Sequence, residues 1–396
     1  VWYIPVDIIH DDGSVEQVIL DQNTTSVTLK TKVNKWAKLN TNQMSMYRVA
    51  YSEDAWKAIL PDFASLSVND RFGFVDDTFA LGTAPKTRVA RSLALALDLV
   101  HSALPQERSY YVWYSALSHI SVISYNIDQS AVYGTFKLFV QRALADAVAE
   151  VGWESQQGEA TEDKQLRALL IASALRYELP SAVEEALIRY DRFDSNPEEY
   201  PIESDLLDAV YQTYVRENGE AGWTNMLHRY MNTSAAEVSE RLRCLHALAR
   251  TRVPFLLTKT LELAVSVCCP SVFSNHGLLT LDANAPQPLV RSQDAVYLIR
   301  DVMRNVYGRD LTWNFIRNNY DDLIKNYGNG FAGQRLPQLA SIFNTQVKHD
   351  EVKSFFEAKQ GQLSRVVSKV LSDILTNKQF VEDHYGELAT WLNAHQ

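Results

Sequence analysis

Val89-Ala90-Arg91-Ser92-Leu93-Ala94-Leu95-Ala96-Leu97-Asp98-Leu99-Val100-His101-Ser102-Ala103-Leu104 decides the class of fold. Val89, Leu93, Leu97, Val100 and Leu104 recur at three- and four-residue intervals. That period sets them on one stripe of an α-helix, the face that must be buried against a neighbour. Leu166, Leu169, Leu170 and Ser173 begin a second stripe of the same kind. From Ser52 onward the period persists in segments of roughly 10 to 18 residues divided by short polar breaks, the spacing of paired antiparallel helices. Residues 154–165, 192–203 and 280–293 carry the Pro, Asn and acidic side chains expected of surface loops. No repeat of fixed length is visible. The expected fold is therefore mainly α: an irregular HEAT-like α-solenoid or bowl of antiparallel helix pairs, whose curved inner face is available for binding.

The first 51 residues read differently. Trp2, Ile4, Val6 and Ile8 alternate with Tyr3, Pro5 and Asp7, and the same period of two returns at Val27 with Leu29 and at Tyr47, Val49 and Tyr51. Asp11-Asp12-Gly13 and Asp21-Gln22-Asn23 supply turn chemistry between these segments. About four antiparallel strands are predicted. So small a sheet needs a second surface over its apolar face, expected in sequence that precedes Val1. The predicted organisation is a small antiparallel β-sandwich portion over residues 1–51 and a helical domain over 52–396.

Composition excludes several function classes. The chain has 396 residues, 46% of them hydrophobic and 22% charged, enough for two or more structural units. A net charge of −10 without a dense Lys/Arg run excludes a nucleic-acid partner. No stretch of about 18 apolar residues is present, so no membrane partner is expected. Three cysteines, Cys244 and the adjacent Cys268 and Cys269, cannot make an even-numbered disulfide framework. They favour a cytoplasmic setting, whereas the sequons Asn23-Thr24-Thr25 and Asn232-Thr233-Ser234 leave the secretory pathway as the alternative.

The chemical motifs are mostly missing. His-Glu-x-x-His is absent, and no two of the nine histidines lie four residues apart, so no catalytic residue and no metal ligand is assigned. Cys268 and Cys269 have no ligand at metal-binding spacing and read as packing residues. Gly328, Gly330 and Gly333 fit G-x-G-x-x-G, but the preceding segment, residues 313–327, reads as an amphipathic helix where a dinucleotide site needs a strand. Neither a nucleophile elbow nor a phosphate loop occurs.

Read in order, several segments resemble the C-terminal region of the gluzincin zinc aminopeptidases. Trp2-Tyr3-Ile4-Pro5-Val6 resembles their Trp-x-Ile-Pro strand, and Trp36-Ala37-Lys38-Leu39-Asn40 with Met46-Tyr47-Arg48-Val49-Ala50-Tyr51 resembles the strand pair before the helical domain. Asp70-Arg71 with Asp76-Asp77-Thr78-Phe79-Ala80-Leu81 resembles its first helices. Trp313-Asn314-Phe315-Ile316-Arg317-Asn318-Asn319-Tyr320, where that family more often has Trp in place of Tyr320, and Val352-Lys353-Ser354-Phe355-Phe356 resemble late segments. The resemblance implies a parent enzyme with zinc in a separate catalytic domain. This chain would be the non-catalytic C-terminal domain, closing over the active site and positioning peptide substrates for removal of their N-terminal residue. Its partners would be the N-terminal catalytic domain of the same enzyme and the peptide. The family's zinc ligands, its Gly-x-Met-Glu-Asn motif and its transition-state tyrosine have no counterpart here, so no cofactor is implied in this chain.

The resemblance also points to the puromycin-sensitive branch. Leu175 and Ala182 occupy the positions where secreted and membrane-bound members carry paired cysteines, and Gly152-Trp153 resembles the puromycin-sensitive members. Ala247-Leu248-Ala249-Arg250-Thr251 resembles the helix whose arginine, in antigen-processing relatives, receives a peptide's C-terminal carboxylate. Arg250 is its counterpart by position, with His246 one turn earlier and Tyr125 in a segment resembling another wall of the pocket. A planar guanidinium fork suits a carboxylate; the same Arg before Pro254 also suits capping of carbonyls or pairing with an acid. The alternative for the whole chain is a free-standing α-solenoid interaction scaffold derived from an aminopeptidase.

The isolated chain, incubated with zinc and an aminoacyl fluorogenic substrate, is expected to give no chelator-sensitive turnover. A rate that survives repurification and disappears with a chelator contradicts this reading.

Overall fold

The computed structural model describes residues 3–21, 26–31, 35–86, 91–265, 289–327, 331–360 and 364–395. Trp2, Val89, Asn23-Thr24-Thr25, Cys268, Cys269, Gly328 and Gly330 lie outside these. Three strands, β1 (Ile4–His10), β2 (Val15–Leu20) and β3 (Ala37–Leu39), form an antiparallel sheet of order β2-β1-β3. Val6 faces Val18 and Ile8 faces Leu39 in the register, and Val6, Ile8 and His10 are buried on one face. The β1–β2 turn uses Asp12, whose Oδ1 accepts from Ser14 N at 2.9 Å, and Gly13 at φ 80°.

No strand follows Leu39 among the described residues, which corrects the expected fourth strand. The segment at Tyr47, Val49 and Tyr51 alternates as a strand would, but side chains take its polar groups. Val49 N donates to Asp77 Oδ2 at 3.0 Å, Arg91 Nε donates to Tyr51 O at 2.8 Å, and the Tyr51 hydroxyl accepts from Leu39 N at 2.9 Å. Val27 and Leu29 pair with no strand among the described residues either.

Fifteen α-helices follow among the described residues, and the chain divides into two compact units. The first unit comprises Val1–Leu179 and Phe380–Gln396. It holds the sheet, α1 (Glu53–Ile59), α2 (Val68–Gly82), α3 (Leu93–Ser102), α4 (Tyr110–Ile127), α5 (Tyr133–Val151) and α6 (Thr161–Arg176). Ser52, Ser67 and Ser92 cap α1, α2 and α3 by accepting from Ala55 N, Asp70 N and Ala94 N. The quoted stripe is the core of this unit: Leu93, Leu97, Val100 and Leu104 are all buried, with α3 packed on α2. On α6 the buried stripe runs through Leu166, Leu170 and Ala174, and Leu169 and Ser173 are only half-buried.

The second unit is Pro180–Gln379. It contains α7 (Pro180–Ser195), α8 (Ser204–Asn232), α9 (Val238–Leu248), α10 (Pro254–Val265), α11 (Ser292–Arg304), α12 (Arg309–Tyr327), α13 (Phe331–Gln338) and α14 (Gln346–Gln360). The last helix, α15 (Arg365–Ala394), begins in this unit and ends in the first, where Trp391 Nε1 donates to Asp98 Oδ1 at 2.8 Å. Sequential helices pack on one another: α7 on α8, α8 on α9, α10 on α11 and α11 on α12. α15, with 30 residues, outruns the expected lengths, and α8, with 29, joins two helical runs across a kink. Within α8 the run is interrupted at Gly219, whose φ of 53° and ψ of −126° suit a residue without a side chain. Trp313 is fully buried, with Phe343, Phe355 and Phe356 at ring-centroid distances of 6.1, 5.5 and 6.2 Å.

Sheet and helices of the first unit meet at one carboxylate. Asp70, on the first turn of α2, is 1% exposed, and its Oδ1 lies 2.6 Å from Lys38 Nζ, itself 1% exposed on β3. Lys38 Nζ also donates to Leu39 O at 3.0 Å and Asn40 O at 3.1 Å. Asp70 Oδ1 accepts from Asn42 N at 2.7 Å and Oδ2 from Ser67 Oγ at 2.8 Å. Between these anchors the turn holds Asn40, Asn42 and Gln43 at φ near 55°, a left-handed conformation that non-glycine residues resist. Gly73 leaves the room: a Cβ there would stand 1.3 Å from Gln43 Nε2. Burial pushes the Lys38 ammonium below its usual value, and Asp70 opposes that fall.

Asp70→Ala is expected to cost about 3 to 5 kcal/mol in urea unfolding, because it strands a buried ammonium and releases a left-handed turn. A loss under about 1 kcal/mol, the range of an exposed pair, refutes this reading.

Candidate functional site

The residues proposed for peptide binding fall into two settings. Tyr125 belongs to the first unit, on α4. Its ring lies half-buried beneath the Arg176 guanidinium, with Arg176 Cζ 4.8 Å from the ring centroid, and Arg176 Nη1 donates to Ser121 Oγ at 2.6 Å. His246 and Arg250 belong to the second unit, at the C-terminal end of α9 and just beyond it.

The turn that carries Arg250 is fixed by its own backbone and by α11's end. Arg250 N donates to Ala247 O at 2.9 Å, and the C-cap residue Ala249 keeps a helical φ of −71°. Asn305 Nδ2 then donates to both flanking carbonyls, Ala249 O and Thr251 O, at 2.9 Å each. Thr251 is fully buried, its Oγ1 accepts from Val253 N at 3.2 Å, and Pro254 opens α10. The guanidinium projects half-buried from this clamp, with Arg250 Nε donating to Gln212 Oε1 on α8 at 3.0 Å.

Asp301 organises the charges. It is 4% exposed on α11. Its Oδ2 is hydrogen-bonded by His246 Nδ1, and its Oδ1 accepts from Arg300 Nε at 3.1 Å and Nη2 at 3.0 Å. Burial alone would raise the Asp301 carboxyl, but the His246 hydrogen bond and the charges of His246, Arg300 and Arg250 together hold it below the usual value of 3.8. One turn before Asp301, the Tyr297 ring lies 4.9 Å from Arg300 Cζ and 5.0 Å from Arg335 Cζ, and Arg335 Nη1 donates to the Tyr297 hydroxyl. Three guanidiniums and an imidazole thus surround one carboxylate and one phenol. Chemically this set can bind an anion; it carries no nucleophile poised beside a base.

Sequence reasoning names His246 and Arg250 but not Asp301, Arg300, Asn305 and Gln212, which the structure groups around them. His246 and Asp301 are 55 positions apart, and Arg250 and Gln212 are 38 apart. No local pattern links such positions.

Of the described histidines, His119 Nε2 is 2.8 Å from Asp76 Oδ1, His349 Nδ1 is 2.8 Å from Asp350 Oδ1, and His384 Nε2 is 3.1 Å from Ala84 O. Among the described residues no group of three or more His, Cys, Asp or Glu could hold a metal ion. Likewise, no described helix is long and apolar enough to cross a membrane. Cys244 is fully buried, and burial pushes its thiol up to about 12. The segment before the glycine motif is helix α12, as expected from its period.

Residues 36–376 match the ERAP1-like C-terminal domain, so the chain belongs to that family, the C-terminal domain of zinc aminopeptidases. It is 25% identical to aminopeptidase N of Homo sapiens over 407 residues, covering 99% of this chain and 39% of that protein. It is 26% identical to glutamyl aminopeptidase of Bos taurus over 407 residues, covering 98% of this chain and 39% of that protein. Glutamyl aminopeptidase of Bitis rhinoceros is also 26% identical, over 372 residues that cover 91% of this chain and 35% of that protein. The chain spans less than two fifths of the length of each relative.

The Asp301 ion pairs set an acid limb. A carboxyl whose folded value is depressed contributes stability that is present above the unfolded value and is lost as pH falls through the folded one. Asp301→Asn should therefore lose less stability than the parent between about pH 7 and about pH 3 in urea titrations. Parallel losses in the two proteins would contradict the assignment.

Proposed function

We propose that this chain is the non-catalytic C-terminal domain of a cytoplasmic zinc aminopeptidase of the puromycin-sensitive type. In this reading it closes over the active site of the N-terminal catalytic domain and positions peptides whose first residue is to be removed. Enclosure excludes water and folded proteins while short peptides enter. The division at Tyr51 and Ser52 into the end of a β-sandwich and a helical domain belongs to the same proposal, as does zinc in the catalytic domain. Leu175 and Ala182, both buried, support the branch assignment, because an apolar side chain at each position excludes the paired cysteines.

Arg250 is the proposed anchor for the peptide's C-terminal carboxylate, with His246 one turn earlier; Tyr125, in the first unit, is a separate proposed peptide-binding residue. The observation that carries this is the clamp of Asn305 on both carbonyls flanking Arg250. A guanidinium whose backbone is already ordered loses less entropy when it binds. His246, hydrogen-bonded to buried Asp301, adds a second polar group one turn before Arg250.

Charge-assisted hydrogen bonds contribute roughly 1.5 to 3 kcal/mol, so Arg250→Ala should weaken binding of N-terminally labelled free-acid peptides by about one to two orders of magnitude. Their C-terminal amides should be affected much less. Equal losses for acid and amide reject the carboxylate role.

A further inference from the structure

Arg300 stands out from the residues around it. From α11 it reaches the carboxylate oxygen of Asp301 that His246 does not use. Its Nε and Nη2 both donate to Asp301 Oδ1, and its flat face lies over the Tyr297 ring at 4.9 Å. About a third of the side chain, 34%, remains exposed. The Nη1 edge makes no hydrogen bond among the described residues. The guanidinium is thus fixed in orientation by a buried carboxylate and an aromatic plane, and a solvent-facing edge is left over. Fixed planar forks of this kind discriminate planar anions, because bidentate geometry is set before the ligand arrives.

We infer that Arg300 is a specificity-determining residue, selecting peptides that carry an acidic side chain at the C-terminal residue, with Arg335 as its neighbour across Tyr297. The inference rests on the reading of Arg250 as the carboxylate anchor. His246, one turn before Arg250, and Arg300 hold the two oxygens of Asp301, and Asn305, one turn after Asp301, holds both carbonyls flanking Arg250, so Arg250 and Arg300 belong to the same contact of α9 with α11. A C-terminal Asp or Glu presents two carboxylates within one residue, and a pair of neighbouring guanidiniums matches that. A C-terminal Asn or Leu presents one. Asp301 itself is the positioning residue: buried and shared, it orients His246 and Arg300 without being available to the ligand.

Three N-terminally labelled peptides of one core, ending in Asp, Asn or Leu and each made as free acid and as amide, test this by fluorescence anisotropy with the full 396-residue chain. The Asp-ending free acid should bind about five- to tenfold tighter than the Asn-ending one, the size of one partly solvated charge-assisted contact. Arg300→Gln should bring that ratio close to one by weakening the Asp-ending free acid about five- to tenfold more than the Asn-ending one. Arg250→Ala should weaken every free acid and leave much of the Asp-to-Asn ratio in place. Should Arg300→Gln fail to fold, because Asp301 loses a partner, Arg300→Lys keeps the counter-charge without the fork and should at least halve the ratio. An Asp-to-Asn ratio near one in the parent, or one unchanged in the Arg300 variants, overturns the inference, and a persisting preference for acids over amides then leaves the Arg250 reading standing. Loss of the acid-over-amide preference with the Asp-to-Asn ratio intact removes the Arg250 reading and retains Arg300 as the anion selector.

Discussion

The first unit depends on the Asp70 carboxylate. Within the first turn of α2 it neutralises a lysine that β3 has carried out of water, and it accepts the backbone amide of a turn whose residues resist their own conformation. Neither partner is stable alone. A buried ammonium without a counter-ion costs several kcal/mol, and three left-handed non-glycine residues cost of order 1 to 3 kcal/mol each. Joining the two costs at one group makes the sheet-to-helix connection a single geometric solution, since the strand can meet α2 only where Lys38 and Asn42 both reach Asp70. Trp56 and Phe74, stacked at 5.6 Å, then fill the adjacent core.

The second unit repeats the device in another form. Asp301 is also buried and also shared, but its partners reach it from α9 and α11 and keep part of their surface in solvent. A shared buried acid orders cations that would otherwise repel one another. The difference from Asp70 lies in what stays exposed: Lys38 is fully enclosed, whereas His246 and Arg300 retain 30% and 34% of their side-chain exposure. The first arrangement holds a fold together. The second holds polar groups at a surface in fixed orientation, which is what recognition needs.

How far these features could be read in advance depends on their range along the chain. Helical period was legible because Leu93, Leu97, Val100 and Leu104 carry it within a dozen residues, and burial follows that period closely. Alternation at Tyr47, Val49 and Tyr51 was misleading, since a period of two records which side chains face inward and says nothing about whether another backbone or a set of side chains takes the amides. Here Asp77 and Arg91 take those groups, and they are distant in sequence. At Gly219 in α8 the dihedral angles break and a kink joins two helical runs, each of a length that the period suggests. Family resemblance supplied Arg250 and His246, but Asp301, Asn305 and Arg300 lie in or just after a helix 50 or more positions later and have no pattern of their own.

A cation at the end of a helix has two competing uses, capping the last carbonyls or meeting a ligand, and the choice turns on who satisfies those carbonyls. At the end of α9, Ala247 O is taken by Arg250's own amide, and Ala249 O and Thr251 O are taken by Asn305. The side chain of Arg250 extends instead toward Gln212, whose Oε1 accepts from its Nε at 3.0 Å and orients the guanidinium. Asp301, held by His246 and Arg300, places a buried acid at the same contact of α9 with α11. The division of labour among Asn305, Gln212 and Asp301 is therefore what converts a helix-terminal arginine from a structural cap into an oriented cation.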